Sequence, residues 1–164
     1  MLTRFMVCLM SLWCMVITPW LGTLPSWAAG AIQYDKQDLQ GSNFAGRDLR
    51  NASFNKANLR QANLEGIQAA SVSFFGANFH NANLKNANLT AATLDMSDLS
   101  GADLRGAILE NALMWLAKVE DTQIEGADFT NALIRTDALH ALCAHASGIN
   151  PVTGRATRDT LECD

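Results

Sequence analysis

Clusters of basic residues are missing from this 164-residue chain, and with them the usual means of holding nucleic acid or an anionic lipid surface. From residue 29 onward, 11 basic residues stand against 16 acidic ones, a net charge of −5. Glycine-rich phosphate loops, paired catalytic carboxylates and nucleophile–base arrangements are also lacking, which argues against an enzyme and implies no cofactor. Cysteine is scarce: of four, Cys8 and Cys14 fall in the first 28 residues, leaving Cys143 and Cys163. Ordinary periodicity is missing too, because neither the three-and-four spacing of a helix face nor the alternation of a half-buried strand is kept.

What the chain has instead is a period of five. From Leu39 to Ile134, twenty successive fifth positions hold a large apolar residue, with Ala69 the one exception and no insertion. Two places before each of them the residue is Ala at thirteen of the twenty sites, and Asn, Asp, Ser or Thr usually lies between. Two residues in five point inward on this pattern, and a corner falls in every unit. Gly or Asn two places after the large residue, as at Gly41, Gly46, Asn51, Gly66, Asn81 and Gly101, accepts the positive φ that a tight corner demands. One such unit buries almost nothing alone, so stacking of neighbours must hold the structure. Residues 107–118, rich in Ala, Leu, Glu and Lys, read as a helix in isolation, but the phase of five continues through them and the coil reading is preferred.

Units such as Ala57-Asn58-Leu59, Ala62-Asn63-Leu64, Ala82-Asn83-Leu84 and Ala102-Asp103-Leu104 resemble the pentapeptide-repeat family over about residues 37–136. The resemblance implies an all-β solenoid: a right-handed quadrilateral β-helix with four repeats per coil, hence about five coils rising roughly 4.8 Å each. Residues twenty apart then stack, so that Leu39, Leu59, Phe79, Leu99 and Val119 form one inner column and Phe54, Phe74, Leu94, Met114 and Ile134 another. At Ala69 the lost volume is expected to be restored by Ile67 and Val72 at the neighbouring small sites. Arg47 is the misfit among the small inward sites, and its place in the first coil lets its head reach water.

The ends are read separately. Residues 1–28 carry Arg4, an apolar run from Phe5 to Leu24 and a small-residue site ending at Ala28, the order of a cleavable secretory signal. An uncleaved membrane anchor is the alternative. With cleavage, no stable membrane insertion is expected. Residues 29–36 are assigned to an N-terminal cap, with Ile32 and Tyr34 as the apolar candidates to cover the first coil. Residues 137–164 are assigned to a C-terminal cap: a short helix with Thr136 or Asp137 as N-cap and Gly148 past its end, a turn at NPVTG, and a second helical turn from Thr157. Cys143 and Cys163 read as one disulfide in an exported chain; a redox-switched bond and a metal site with His140 and His145 are the alternatives. The tail is similar to those of thylakoid-lumen members of the family, which end in short helices joined by a disulfide. That implies the thylakoid lumen, with the periplasm as the alternative.

Two surface features depart from the repeat. If the four-per-coil register holds, Phe75, Met96, Trp115 and Leu116 share one face, with Leu113 adjacent, and exposed apolar patches of this kind mark partner sites. The alternative is that part of the chain's own N- or C-terminal segment covers them. Residues 97–134 carry a net charge of −5, whereas residues 35–96 carry +1. The leading reading is a non-catalytic exported scaffold that binds an unidentified protein. A redox-responsive regulator acting through Cys143–Cys163 is a second. A DNA-mimic role, which the family resemblance brings with it through members that bind gyrase, is opposed by the export signal and the modest charge.

Overall fold

A computed structural model describes residues 32–163, which form one compact unit. The expected signal segment, residues 1–28, and the first residues of the expected N-terminal cap lie outside them. Pairing between successive turns of the chain is parallel and always twenty residues apart. It runs from Asp38↔Asn58 and Asn43↔Asn63 at one end to Asp103↔Gln123 and Ile108↔Asp128 at the other. Twenty residues are four five-residue units, so the register expected from the sequence is the one the backbone adopts.

Regular strand is nonetheless sparse. Among the described residues the strands are β1 (Ile32–Gln33), β2 (Ala52–Ser53), β3 (Leu113–Met114) and β4 (Leu133–Ile134), with β1 pairing β2 and β3 pairing β4 in parallel. Elsewhere the ladder consists of single bridges. The reason is geometric: with a corner in each unit of five, only one or two residues remain extended between turns. Each corner closes with a hydrogen bond from the small residue to the preceding large one, such as Ala62 N–H to the Leu59 carbonyl at 3.1 Å, with positive φ at the residue between, Gln61. Positive φ at the third residue of a turn favours Gly or Asn at that place. Asn51 departs from expectation: the turn bond from Ala52 to Leu49 persists at 2.8 Å, but Asn51 is not among the residues of positive φ. Conversely Lys56, Gln61, Ser71, Ala91, Met96, Leu116 and Asp121 take it despite their side chains. Inter-coil bonds such as Gln61 N–H to the His80 carbonyl at 3.0 Å and Met96 N–H to the Trp115 carbonyl at 2.9 Å hold the corners from Lys56 to Met96 in place.

The inner columns are buried throughout, with Leu39 and Ile134 at the two ends only partly covered. Ala69 is enclosed, and Ile67 and Val72 beside it are buried as expected. Residues 107–118 follow the coil rather than a helix. At the first coil, Tyr34 continues the phase of five one unit before Leu39; its ring stacks on Phe54 at 4.7 Å and meets Phe44 edge-on at 5.5 Å. Ile32 does not cover the coil: it pairs with Ala52 in β1 and is 54% exposed. Arg47 reaches water as expected, with its guanidinium 5.5 Å from the Phe44 ring centroid, a cation–π cover for the open end.

Past Ile134 the period stops at α1 (Thr136–Cys143), followed by α2 (Thr157–Thr160). The N-cap of α1 is Arg135, not Thr136 or Asp137, and Asp137 instead pairs with Arg135 in the first turn. Gly148 is not at the helix end, which is Ala144; it sits farther on at φ +80 against Gly126, where an added Cβ would lie 2.8 Å from the Gly126 nitrogen. Close approach of two glycine backbones is what brings the tail back onto the solenoid.

Candidate partner-binding face and C-terminal cap

On the face outside the column Phe54–Phe74–Leu94–Met114–Ile134, Ser73, Thr93, Leu113 and Leu133 form one outward ladder. Beside it, Phe75, Asp95 and Trp115 occupy successive rungs, and the Trp115 N–H donates to Asp95 Oδ1 at 2.6 Å. Met96 and Leu116 follow at the corners, both with positive φ. Met96, Leu113, Trp115, Leu116 and Leu133 are 40–57% exposed, and Phe75 is 37% exposed. The later coils therefore gather five large apolar side chains, while Phe75 stands two rungs from Trp115 with Asp95 between them. Leu133 adds to the residues that the sequence points to, and its signal is there: the site before the large residue is normally polar, and at Leu113 and Leu133 it is not. The C-terminal segment leaves this face open.

The face runs into a groove of about 320 Å³ between the last coil and α1, floored by Leu116, Ala117, Val119 and Ala138 and rimmed by Lys118, Glu120, Arg135 and Asp137. Arg135 pairs with Asp137, and Lys118 Nζ lies 3.8 Å from Asp98 Oδ2. Asp95 and Glu120 are different. Glu120 accepts from Ser100 Oγ at 3.0 Å and Asp95 from the Trp115 N–H, and among the described residues neither is in an ion pair. Elsewhere in the acidic coils three carboxylates are neutralised, Asp103 by Lys85 at 3.2 Å and Arg105 at 2.7 Å, and Glu110 and Asp128 by Arg155 at 2.9 and 3.1 Å, while Asp121 and Glu125 are in no ion pair among the described residues. Burial pushes the Asp103 and Asp128 carboxyls up, but hydrogen bonds from Arg105 and Lys85 to the first, and from Thr130 and Thr153 with the charge of Arg155 to the second, outweigh it and hold both below the ordinary value.

Arg155 belongs to the cap, and the cap docks on the flank of the solenoid. Gly126 N–H donates to the Ser147 carbonyl at 2.8 Å, and Ile149 bridges Ala156 in antiparallel fashion. Between them Asn150, fully buried, donates through Nδ2 to the carbonyls of Gly106, Ala107 and Gly126 at 3.2, 3.2 and 2.8 Å. Its Oδ1 accepts the N–H groups of Val152 and Thr153 at 2.9 and 3.0 Å. The sequence marks Asn150 only as part of a turn. Leu142 and Leu161 close the end of the core, and Cys143 and Cys163 form the disulfide between them, with Cα atoms 5.6 Å apart. Both sulfurs are thereby engaged. Among the described residues no group of three or more His, Cys, Asp or Glu side chains is placed to hold a metal ion, and no helix is long and apolar enough to cross a membrane.

A parallel solenoid of five-residue units, closed by a cystine-tied helical cap, defines a β-helical repeat protein. The pentapeptide-repeat family model, in eight copies, matches residues 36–67, 73–111 and 97–135, and the chain belongs to that family. A crystal structure of a pentapeptide-repeat protein from the Arabidopsis thaliana thylakoid lumen is 39% identical, with a TM-score of 0.78 over 80% of this chain and 91% of that one. The fold is accordingly the right-handed β-helix of that family. A pentapeptide-repeat protein of the cyanobacterium Cyanothece, at 20% identity and a TM-score of 0.50 over 63% of this chain and 91% of its own, agrees in fold. Among curated proteins, Thylakoid lumenal 15 kDa protein 1 of Arabidopsis thaliana is 51% identical over 43 residues, 26% of this chain and 19% of its own length. Thylakoid lumenal protein TL20.3 of the same plant is 51% identical over 41 residues, 25% and 15% of the two chains. The matched stretches thus span under a fifth of those relatives.

Proposed function

We propose that the protein is a non-catalytic scaffold of the thylakoid lumen that binds another protein through the face of Met96, Leu113, Trp115, Leu116 and Leu133. On this reading the β-helix is four-sided and about five coils tall, a stack of roughly 24 Å that offers a flat, rigid side. The carrying observation is the exposure of five large apolar residues at outward sites where the repeat usually sets polar or small ones. Outward side chains do not determine the packing of the columns, so folding does not require them to be apolar. Two of them, Met96 and Leu116, also stand at positive-φ corners, where a side chain costs about 1 kcal/mol. Location in the lumen is supported by the similarity to lumenal proteins of Arabidopsis thaliana and by the apolar leader in the sequence.

The test is cross-linking with mass spectrometry in the native compartment, comparing the protein with the variant carrying Leu113→Ser and Trp115→Ser. The variant is expected to melt within a few degrees of the parent and to lose its cross-linked neighbours. An unchanged set of neighbours refutes the binding face.

A further inference from the structure

Resting on the binding-face reading, we infer that the partner presents a basic, amphipathic polypeptide segment: large apolar side chains on one side, flanked by Lys or Arg. The apolar side follows from the patch and from the groove it enters, whose floor of Leu116, Ala117 and Val119 accepts an aliphatic or aromatic group beside α1. The flanking charge follows from which ions around the patch are already satisfied. The cations are engaged: Arg135 by Asp137, and Lys118 by Asp98. The anions Asp95 and Glu120 accept hydrogen bonds from neutral groups, and they bracket the apolar cluster, Asp95 beside Trp115 and Glu120 on the groove rim. Asp121, exposed at the next corner, extends the unpaired negative charge beyond Glu120.

Complementarity of this kind sets orientation and on-rate, while the buried apolar anchors supply affinity. A second copy of this chain fits less well, since its own patch carries the same unpaired anions and would set like charges together. A membrane surface fits less well for a similar reason, because anionic headgroups are repelled by the same two carboxylates. The chain's own leader is a poor occupant once removed after Ala28. Three residues then precede Ile32, about 10 Å of extended chain, whereas β1 lies four rungs from Leu113, roughly 19 Å.

The test is a titration of the purified full chain against a fluorescein-labelled 18-residue helical peptide of leucine and lysine, read by anisotropy, beside a twin with glutamate in place of lysine. Binding of the lysine peptide, at least about tenfold tighter than the twin and weakening with salt, is expected. Asp95→Asn and Glu120→Gln should each weaken it by about two- to fivefold, and Leu116→Ser with Trp115→Ser should abolish it while thermal melting is kept. Equal binding of the glutamate twin, or no response to Asp95→Asn with Glu120→Gln, overturns the basic-partner assignment. So does concentration-dependent self-association, or uptake by phosphatidylcholine vesicles, that Leu116→Ser with Trp115→Ser removes. In each of these cases, loss of native cross-links on Leu113→Ser with Trp115→Ser still upholds the binding face. Retained cross-links remove the face and the partner together.

Discussion

Asn150→Ala isolates the docking of the cap. The side chain is 1% exposed and makes five hydrogen bonds, three to carbonyls of the solenoid and two to its own loop. These are not equal. Ala107 keeps a second partner, the Asp128 N–H at 2.9 Å, and the N–H groups of Val152 and Thr153 lie in a loop that water reaches. The cost therefore concentrates at the carbonyls of Gly106 and Gly126, which lose a buried donor. At roughly 1–2 kcal/mol for each, with a smaller share from the loop, the total is about 3 kcal/mol. For a unit of this size that lowers the melting temperature by about 10 °C.

Urea unfolding followed by circular dichroism reads the cost, and hydrogen exchange reads its location. The Gly126 amide, bonded to Ser147, is expected to lose protection before the amides of the middle coils, because the cap opens as a unit. Asn83→Ala is the control. Asn83 bonds Asn63, Glu65 and the Lys85 N–H on the half-exposed outer wall, and its loss should cost about 1 kcal/mol or less. Asn150→Asp is expected to be worse than alanine, since a carboxylate would face three carbonyl oxygens with no hydrogen to offer. Stabilities of Asn150→Ala and Asn83→Ala within about 1 kcal/mol of each other would refute the view that this side chain holds the tail to the coils.

Acid and reductant probe the rest of the cap. The Asp128 carboxyl, held down by Thr130 and Arg155 against the effect of burial, and Asp98 and Asp103 likewise, have folded values below the ordinary 3.8. Their contribution is therefore fully present above that value and is lost as pH falls through the lower folded values. The urea midpoint should stay flat from pH 7 to near pH 4 and drop below it, and Asp128→Asn should be less stable at pH 7 with a shallower acid decline; a midpoint falling already between pH 7 and 5 contradicts this. Reduction of Cys143–Cys163, which closes a loop with a sequence separation of 20, should cost about 3 kcal/mol in the chain-entropy model and unprotect α1 and α2 first. Identical melting with and without reductant would contradict a structural role for the bond.

The columns were legible because packing volume is written at a fixed period. Any residue of the wrong size at those sites would have broken the count, and even the exception at Ala69 is repaired within its own neighbourhood. The corners were legible only in part. Gly and Asn mark many of them, but the inter-coil ladder imposes positive φ on Met96, Gln61 or Lys56 at about 1 kcal/mol each, a cost that the backbone bonds on either side offset. At Asn51 the residue suited to the turn is present without it. The cap was illegible for a different reason. Asn150 is one asparagine among many, and its partners Gly106 and Gly126 are 44 and 24 residues away. No local pattern announces a contact made by a chain folding back on itself.

Departures from a repeat are where function is sought, and the structure divides them into two kinds. Arg47 at a small inward site covers Phe44; Ile67 and Val72 fill the space left at Ala69; Thr122, buried where Ala is usual, donates to the Leu99 carbonyl at 3.0 Å. Each of these inward departures has a packing or hydrogen-bonding cause within the chain, whereas Ser97, buried at a small site, leaves its Oγ without a hydrogen-bond partner among the described residues. The outward apolar departures have no such cause among the described residues. Leu113 and Leu133 stack in a ladder that served equally well with Ser73 and Thr93, and Trp115 stands at a site that the coils before it fill with Asn55, Phe75 and Asp95. A scaffold indifferent to these positions leaves their chemistry to be set by whatever lies against them, and the two unpaired carboxylates beside them give that neighbour a sign of charge.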